Sequence, residues 1–271
     1  MTPILVFDIE TVPDAAGLRR VQAFPAELAD AGVVECVTQK RRAQGGSDFL
    51  PLPYQKVVAI ACALRDEGGF KVASVGTADD PEPELIRRFY DLIDKHTPQL
   101  VSWNGGGFDL PVLSYRALIH GVSAARYWDW GDEDREFKFN SYLGRYHTRH
   151  IDLMDVLSMY QPRASAGLDT MARLCGFPGK LGMDGREVPA AIEAGRRDDV
   201  RRYCETDVMN TYLLYLRFRR MRGELTSAEY DQEVAFARER IAATGAPHWR
   251  EFIEAWDANA ADQALKNGTA A

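Results

Sequence analysis

The sequence has only four cysteines, Cys36, Cys62, Cys175 and Cys204, and no two of them form a CxxC pair. A zinc knuckle and a framework of disulfide bonds are therefore not expected. Unpaired thiols are typical of reducing compartments, so we expect a cytoplasmic protein.

Long apolar runs and an excess of positive charge are missing as well. No stretch is long enough to span a membrane, and the N-terminus lacks the basic and apolar segments of a secretory signal, so no membrane partner is expected. The net charge is −7. Proteins that coat nucleic acid non-specifically are usually basic, because neutralising phosphates drives their binding, so this class is disfavoured. An enzyme that holds a short polyanion through metal ions and a few cations is compatible with this balance.

The predicted elements point to an α/β fold. The chain has 271 residues, of which 46% are hydrophobic and 27% are charged, as in ordinary globular domains. Apolar runs predict strands at 3–10, 56–64, 70–75 and 99–103. Helices are predicted at 82–96, 110–120, 168–175, 198–221, 226–243 and 247–257. Strand hairpins followed by alternating helices and strands indicate a mixed β-sheet flanked by α-helices.

Two stretches, 32–55 and 121–149, show no clear period and are predicted to be irregular. The second is dense in aromatic and charged residues (YWDWGDEDREFKF), and long insertions of this kind are often binding loops. The segment RFRRMR at 217–222 is the strongest local basic patch, although a charged helix end is its ordinary interpretation.

Two carboxylates end the first predicted strand, in the stretch VFDIETVP at 6–13. Residues i and i+2 of a strand point to the same face, so Asp8 and Glu10 share a face with Ile4 and Val6. Two adjacent anions are costly to bury unless a cation lies between them, and hard divalent ions prefer oxygen ligands. The alternative is an Asp that caps the following turn and a Glu that pairs with an Arg.

The stretch WNGGGFDLP at 103–111 follows another predicted strand. Its glycines allow the backbone to approach a ligand closely, and Asp109 opens the next helix. Asp109 could equally be a plain N-cap after a glycine turn. A phosphate-binding loop is a weaker alternative, because there is no GxxxxGK[ST] and the third glycine of GxGxxG is missing.

The predicted helix 198–221 carries the third motif. Asp199, Tyr203 and Asp207 follow each other at intervals of four residues and so lie on one face, while Cys204 falls in an adjacent apolar stripe. A lone Tyr-x-x-x-Asp is usually a structural pair on a helix. The three motifs in this order carry more information than any one of them.

Together, the motifs resemble those of the DEDD superfamily of 3′–5′ exonucleases, in its tyrosine-bearing subgroup (DEDDy). Asp8-Ile9-Glu10-Thr11 matches the first motif, Asn104 to Asp109 the second, and Tyr203 to Asp207 the third. Arg202 stands where the histidine-bearing subgroup would place a His. The chain is similar to the stand-alone bacterial proteins that are related to the proofreading exonuclease domain of family-B DNA polymerases.

The resemblance implies an RNase H-like fold and an exonuclease that releases nucleoside monophosphates from the 3′ end of single-stranded DNA. Asp8, Glu10, Asp109 and Asp207 would hold two divalent ions, Mg²⁺ or Mn²⁺, of which one activates water and the other stabilises the leaving oxygen. Tyr203 would orient the attacking water, because a free Tyr with a pKa of about 10 is a poor base at neutral pH.

Several further residues are candidate substrate contacts. Thr11 and Asn104 stand where members of the resembled family contact the terminal nucleotide. Phe108 and Trp103 could stack on a base, although an aromatic residue beside a strand end more often belongs to the core. Lys180, in the loop FPGKLGMDG, could reach a phosphate, although most loop lysines are only solvated.

The resemblance covers roughly residues 1–220. We place the exonuclease domain at 1–222, a helical extension packed on it at 223–257, and a disordered tail at 258–271. Two alternatives share the fold. An exoribonuclease would need contacts to the 2′-OH, which leave no visible signal in this sequence. A non-catalytic nucleic-acid-binding module predicts that at least one of the four carboxylates is missing.

Overall fold

A five-stranded sheet lies at the centre of the protein, whose computed structural model describes the backbone of residues 2–268 and the side chains of residues 2–259. The strands are β1 (Ile4–Pro13), β2 (Gln55–Asp66), β3 (Gly69–Ser74), β4 (Gln99–Ser102) and β5 (His150–Asp152). Their order across the sheet is β3-β2-β1-β4-β5. The pairs β1–β2 and β2–β3 are antiparallel, whereas β1–β4 and β4–β5 are parallel.

Ten α-helices flank this sheet within the described residues. They are α1 (Ala15–Val21), α2 (Asp30–Ala43), α3 (Glu82–His96), α4 (Asp109–His120), α5 (Leu153–Leu157), α6 (Leu168–Leu174), α7 (Val188–Glu193), α8 (Arg197–Met221), α9 (Ser227–Ala242) and α10 (Pro247–Gly268). The predicted class, an α/β fold with a mixed sheet between helices, is confirmed. No helix in the described part of the chain has the length and apolar content needed to cross a membrane.

The two faces of β1 are buried against different helices. Ile4 and Val6 point toward α8 and share a core cluster with Tyr212. Phe7 points the other way and packs on Phe89 of α3, with ring centroids 5.2 Å apart. A strand with apolar residues on both faces belongs in the middle of a sheet, as its sequence predicted. The side chains at the even-numbered positions of β1 therefore face α8.

The stretch 32–55, predicted to be irregular, contains most of a helix, so this prediction was wrong. Helix α2 packs Val33 and Val37, one turn apart, against Leu18 and Leu50 in a small core of their own. The glycines and charges that follow the helix obscured this short apolar stripe. The stretch 121–149 is irregular as predicted, apart from a 3₁₀ turn at Arg135–Lys138.

The C-terminal helices share the core of the sheet. Tyr230 and Ile241 of α9 and Trp249 and Phe252 of α10 join the same buried cluster as Tyr212 of α8. The predicted tail began at 258, but the structure continues α10 to Gly268. Residues 269–271 lie outside the described part of the chain.

A buried ion cluster joins the N-terminal region to the helices on the second face of the sheet. The side chain of Arg116 on α4 is 3% exposed, and it donates to Glu82 Oε1 at 2.7 Å and to Asp14 Oδ2 at 2.6 Å. Glu82 also accepts a hydrogen bond from the backbone N–H of Val57 at 2.7 Å. One guanidinium group thus connects the starts of α1 and α3 with β2 and α4.

We expect Arg116→Met to lower the free energy of unfolding by about 3 kcal/mol, because the substitution removes the guanidinium group from the buried Glu82 and the partly buried Asp14 and leaves only His120, among the described residues, as an ion-pair partner of Glu82. Urea denaturation measures the change. The matched control is Arg186→Met, whose ion pair with Asp184 is exposed (91% and 51%) and should contribute less than about 1 kcal/mol. Equal losses in the two variants would mean that the buried cluster contributes no more than a surface pair.

Candidate active site

Asp8 and Glu10 lie on the face of β1 that α8 covers, beyond the point where the neighbouring strand stops. Strand β4 pairs with β1 only from Ile4 to Val6. The register of β1 against β2 shifts between Glu10 and Thr11. Glu10 is 8% exposed. Among the described residues, no Arg, Lys or His forms an ion pair with either carboxylate, so the alternative in which Glu10 pairs with an Arg is not observed.

Helix α8 brings a second group of polar side chains to the same place. Tyr203, Cys204 and Asp207 lie within one turn of each other and are buried. The Cys204 thiol donates to the backbone oxygen of Asp8 at 3.3 Å and lies 3.5 Å from Asp8 Oδ2. One potential ligand atom from each of Asp8, Glu10 and Cys204 lies within 4.8 Å of the other two. Cys204 was predicted to lie in the apolar stripe of this helix, although its spacing of three residues from Asp207 indicates a shared face.

Asp109 enters from the opposite side as the first residue of α4. Its N-cap is Phe108, so Asp109 is not the plain N-cap that one interpretation of the sequence proposed. Its Oδ1 instead accepts the backbone N–H of Ile9 at 3.0 Å. That N–H faces the side where β4 has already ended. Asp109 is 2% exposed, so a hydrogen bond to the strand fixes a third buried carboxylate next to the first two.

The loop between β4 and α4 is held by Asp152 at the end of β5. Asp152 accepts the backbone N–H groups of Asn104 at 2.9 Å and Gly106 at 2.8 Å. The same carboxylate caps α5 through the N–H groups of Met154 and Asp155. Asn104 itself has a φ of +68°. Two amides of this loop are thus satisfied inside the protein, which disfavours a phosphate-binding loop.

Lys180 reaches the carboxylates from the loop between α6 and α7. Its ammonium group donates to Asp207 Oδ2 at 2.7 Å and to the Tyr203 hydroxyl, and lies 4.8 Å from the centre of the tyrosine ring. The side chain of Asn210 on α8 anchors the loop by bonding both the N–H (3.1 Å) and the C=O (2.8 Å) of Gly179. A lysine that the sequence could only assign to a loop is therefore part of the site.

Burial makes ionisation of these carboxylates costly. It raises the pKa of Asp8 to about 7, with a further contribution from the charge of Asp207. Burial and neighbouring anions hold the pKa values of Glu10 and Asp109 well above their ordinary range. The pKa of Asp207 is also raised by burial, and the charge of Lys180 opposes this rise.

Asp207 Oδ1 is buried and has no hydrogen-bond partner among the described residues. A buried polar atom without a partner is unusual in a native protein and calls for an explanation. Four clustered carboxylates with one unsatisfied oxygen form the all-oxygen donor set that Mg²⁺ or Mn²⁺ prefers. The residues present therefore fit a divalent metal ion.

The remaining predicted contacts occupy different environments. The Thr11 hydroxyl donates to Gln55 Oε1 at 3.0 Å, next to the register shift in β1. Phe108 is partly buried beside Asp109, and its ring centroid lies 5.6 Å from that of Phe49. Trp103 packs against the core, and its indole N–H donates to a backbone oxygen in the loop before α6 at 3.1 Å. The core interpretation of Trp103 is thus favoured, whereas Thr11 directly follows Glu10 and Phe108 directly precedes Asp109 in the sequence.

Comparison with protein families identifies the family to which this chain belongs. A family model described as "Predicted 3'-5' exonuclease related to the exonuclease domain of PolB" matches residues 47–256. The chain belongs to this family. The match includes Asp109, Tyr203 and Asp207, and it begins after Asp8 and Glu10. The predicted resemblance to the exonuclease domain of family-B polymerases is confirmed, and membership supports a nuclease among the hydrolases.

Curated relatives of this exonuclease-family chain include catalytic subunits of DNA polymerase epsilon from two organisms. The chain is 26% identical over 162 residues to one from Arabidopsis thaliana. It is 27% identical over 144 residues to one from Dictyostelium discoideum. These alignments cover 56% and 51% of this chain but 7% and 6% of the relatives. The chain therefore corresponds to a small part of those proteins.

A solved structure also aligns with most of the chain. It is the family B DNA polymerase from the hyperthermophilic archaeon Pyrobaculum calidifontis, which matches 90% of this chain and 29% of its own length. The sequence identity is 20% and the TM-score is 0.48.

The raised pKa of Asp8 predicts how metal-free stability depends on pH. The folded protein keeps a proton on Asp8 up to about pH 7, whereas an unfolded Asp loses it near about pH 4. The proton on Asp8 therefore stabilises the folded state. This contribution is complete below the pKa of Asp8 in the unfolded chain, and it is lost as the pH rises through the pKa of Asp8 in the folded protein. Asp8→Asn has no charge to bury. Between about pH 4 and pH 8 in EDTA, the wild-type protein should therefore lose about 4 kcal/mol of unfolding free energy relative to Asp8→Asn, at about 1.4 kcal/mol for each pKa unit of the shift. Urea unfolding at several pH values measures the difference, and a constant difference would contradict the cost of ionising Asp8.

Proposed function

We propose that the protein is a metal-dependent 3′–5′ exonuclease that releases nucleoside monophosphates from the 3′ end of single-stranded DNA. The observation that carries the proposal is the convergence of carboxylates from three distant segments in one buried volume. A fold gains nothing from clustered anions unless a cation joins them, since removing each from water costs several kcal/mol. Family membership independently supports a 3′–5′ exonuclease.

Asp8, Glu10, Asp109 and Asp207 are the residues that would hold two divalent ions, Mg²⁺ or Mn²⁺. When bound, such ions supply an activated water and stabilise the charge that develops on the phosphate and the leaving oxygen. The contribution of the protein is mainly to position these groups. Asp109 is fixed by its bond to Ile9 N–H, and Asp207 is fixed through Oδ2 by Lys180, which leaves Oδ1 available.

Tyr203 is a hydrogen-bonding group in this proposal, and not the base that accepts the proton of the water. Burial and the nearby charges of Asp207 and Glu10 raise the pKa of Tyr203, so the phenol stays protonated at neutral pH. Its hydroxyl oxygen accepts a hydrogen bond from Lys180, and its own O–H would donate to the attacking water.

Lys180 supplies the positive charge of the metal-free site. Burial lowers the pKa of its ammonium group, but Asp207 and Tyr203 more than offset this effect, so the pKa is raised and the group stays charged. The ammonium joins the Tyr203 hydroxyl to Asp207 and sets the distance between them. With about a third of its side chain exposed (34%), Lys180 can also face a phosphate of the substrate.

The 3′-terminal nucleotide would then lie beside Thr11, Asn104 and Phe108. Thr11 follows the register shift of β1 directly after Glu10, and Phe108 directly precedes Asp109. Bases stack readily on aromatic rings, and such stacking does not depend on base identity. A non-catalytic binding module is disfavoured, because binding alone gives no reason to bury all four carboxylates together.

The activity is tested with 5′-labelled single-stranded DNA, duplex DNA and RNA in Mg²⁺ or Mn²⁺. We expect a ladder of shortening products from single-stranded DNA, with nucleoside monophosphates released and no reaction in EDTA. Asp8→Ala purified in parallel controls for contaminating nucleases. Internal cuts alone would exclude an exonuclease, and shortening of RNA in preference to DNA would replace the proposed substrate.

Two substitutions on α8 separate metal binding from positioning of the water. We expect Tyr203→Phe to lower the rate about 10- to 100-fold, as removal of a positioning group does, while the rise in Tm on adding Mn²⁺ is retained. Asp207→Ala should abolish both, because it removes a metal ligand. Thermal unfolding with and without Mn²⁺ supplies the readout that is independent of activity. Full metal-dependent activity in Asp207→Ala would refute the assignment of this carboxylate.

A further inference from the structure

A groove of about 960 Å³ opens beside the loop that carries Asp109, and the proposed chemistry does not use it. Gly106 and Gly107 line the groove, which therefore adjoins the loop that leads into the candidate active site. Its walls come from α4, the irregular stretch 121–149, the edge strand β5 and the end of α8. The stretch that the sequence marked as a candidate binding loop therefore forms much of this groove.

Aromatic side chains dominate the exposed part of the lining. Tyr115, Trp128 and Tyr146 are 46%, 44% and 76% exposed, although each has a large apolar ring. Tyr146 meets Tyr160 edge to face, with ring centroids 5.0 Å apart. Rings held in this way keep part of their surface available for a planar partner. An exposed apolar surface of this kind usually marks a binding site.

The charges that line the groove are largely compensated by ion pairs and hydrogen bonds. Asp152 is occupied by backbone N–H groups, and Asp155 pairs with Arg145 at 3.3 Å. Arg145 also lies over the ring of Tyr160, 5.0 Å from its centre. Burial lowers the pKa of His150 to about 4, so this residue is neutral at physiological pH. The lining thus offers stacking surfaces with few free anions to repel a phosphate backbone.

Two arginines belong to the lining of the groove, Arg145 and Arg222. Arg222 stands at the C-terminal end of α8 and pairs with Glu224 at 3.0 Å, while 44% of its side chain stays exposed. A DNA strand in the groove would pass both guanidinium groups with its phosphates.

We propose that this groove binds the single DNA strand upstream of its 3′ end, by stacking bases on Tyr146 and Trp128 while the lining arginines Arg145 and Arg222 face its phosphates. Aromatic platforms beside cationic groups are the common solution for binding single strands without reading their sequence. Continuity with the Gly106–Gly107 loop favours a strand over a peptide, because the same molecule would occupy the groove and the carboxylate site. The direction of the strand rests on the proposed function.

The test compares binding of a thymidine dinucleotide and a thymidine decamer in EDTA, by fluorescence anisotropy. We expect Tyr146→Ala to weaken binding of the decamer at least about fivefold, the lower limit for loss of one stacked base, without changing binding of the dinucleotide. The matched control is Phe139→Ala, because Phe139 is 83% exposed and does not line the groove. Quenching of tryptophan fluorescence by the decamer should also decrease in Trp128→Phe.

Two results would overturn the groove assignment. One is decamer binding that is unchanged in Tyr146→Ala, and the other is an equal loss in the Phe139→Ala control. Because binding is measured without metal, the outcome is independent of cleavage. Decamer binding that depends on Tyr146 in a protein that degrades no DNA would support the groove and refute the exonuclease. Cleavage by a protein whose decamer binding does not involve Tyr146 would support the exonuclease and refute the groove.

Discussion

Mutual repulsion of buried carboxylates is the constraint on which the rest of this site depends. Asp8 and Glu10 stand on a central strand, where burial raises their pKa values, and two further segments each add an anion. The protein offsets this repulsion only in part. Ile9 N–H satisfies one oxygen of Asp109 and Lys180 one oxygen of Asp207. The carboxylate oxygens that these contacts leave unsatisfied are the ones that would bind the proposed divalent ions.

The architecture of the sheet makes this cluster possible. Strand β4 stops after pairing with the first part of β1, and α4 begins where β4 would have continued. The strand edge that this exposes is closed by the Asp109 carboxylate instead of by another strand. Asp152, at the end of the next strand, holds the connecting loop in place through its amides. The candidate site and the proposed strand groove share this loop, so substrate binding and positioning of the carboxylates depend on the same hydrogen bonds.

Sequence patterns predicted the elements that contain several turns or alternate over a full strand. The apolar stripe of α3, the long helix α8 and the charged end of β1 are of this kind. Short elements were missed, including α5, α7 and the three-residue strand β5, because so few residues contain no complete period. Helix α2 was missed because its two inward valines pack on a small separate core and are followed by glycines and charges. Family membership added what periodicity could not supply, namely a relation to predicted 3′–5′ exonucleases for the part of the chain that carries Asp109, Tyr203 and Asp207.

The sequence by itself determined that Asp8 and Glu10 share a face, since a strand alternates with period two, and that Tyr203 and Asp207 share another, since a helix returns after four residues. Only the tertiary structure decided that these faces meet. It also decided that Lys180 pairs with Asp207, that the Cys204 thiol contacts Asp8, and that Asp152 holds the glycine loop. Each of these contacts joins side chains separated by many residues of chain, and local periodicity carries no information about such distances. The spacing of the carboxylates is set by local sequence, whereas the groups that offset their charges are brought to them only by folding.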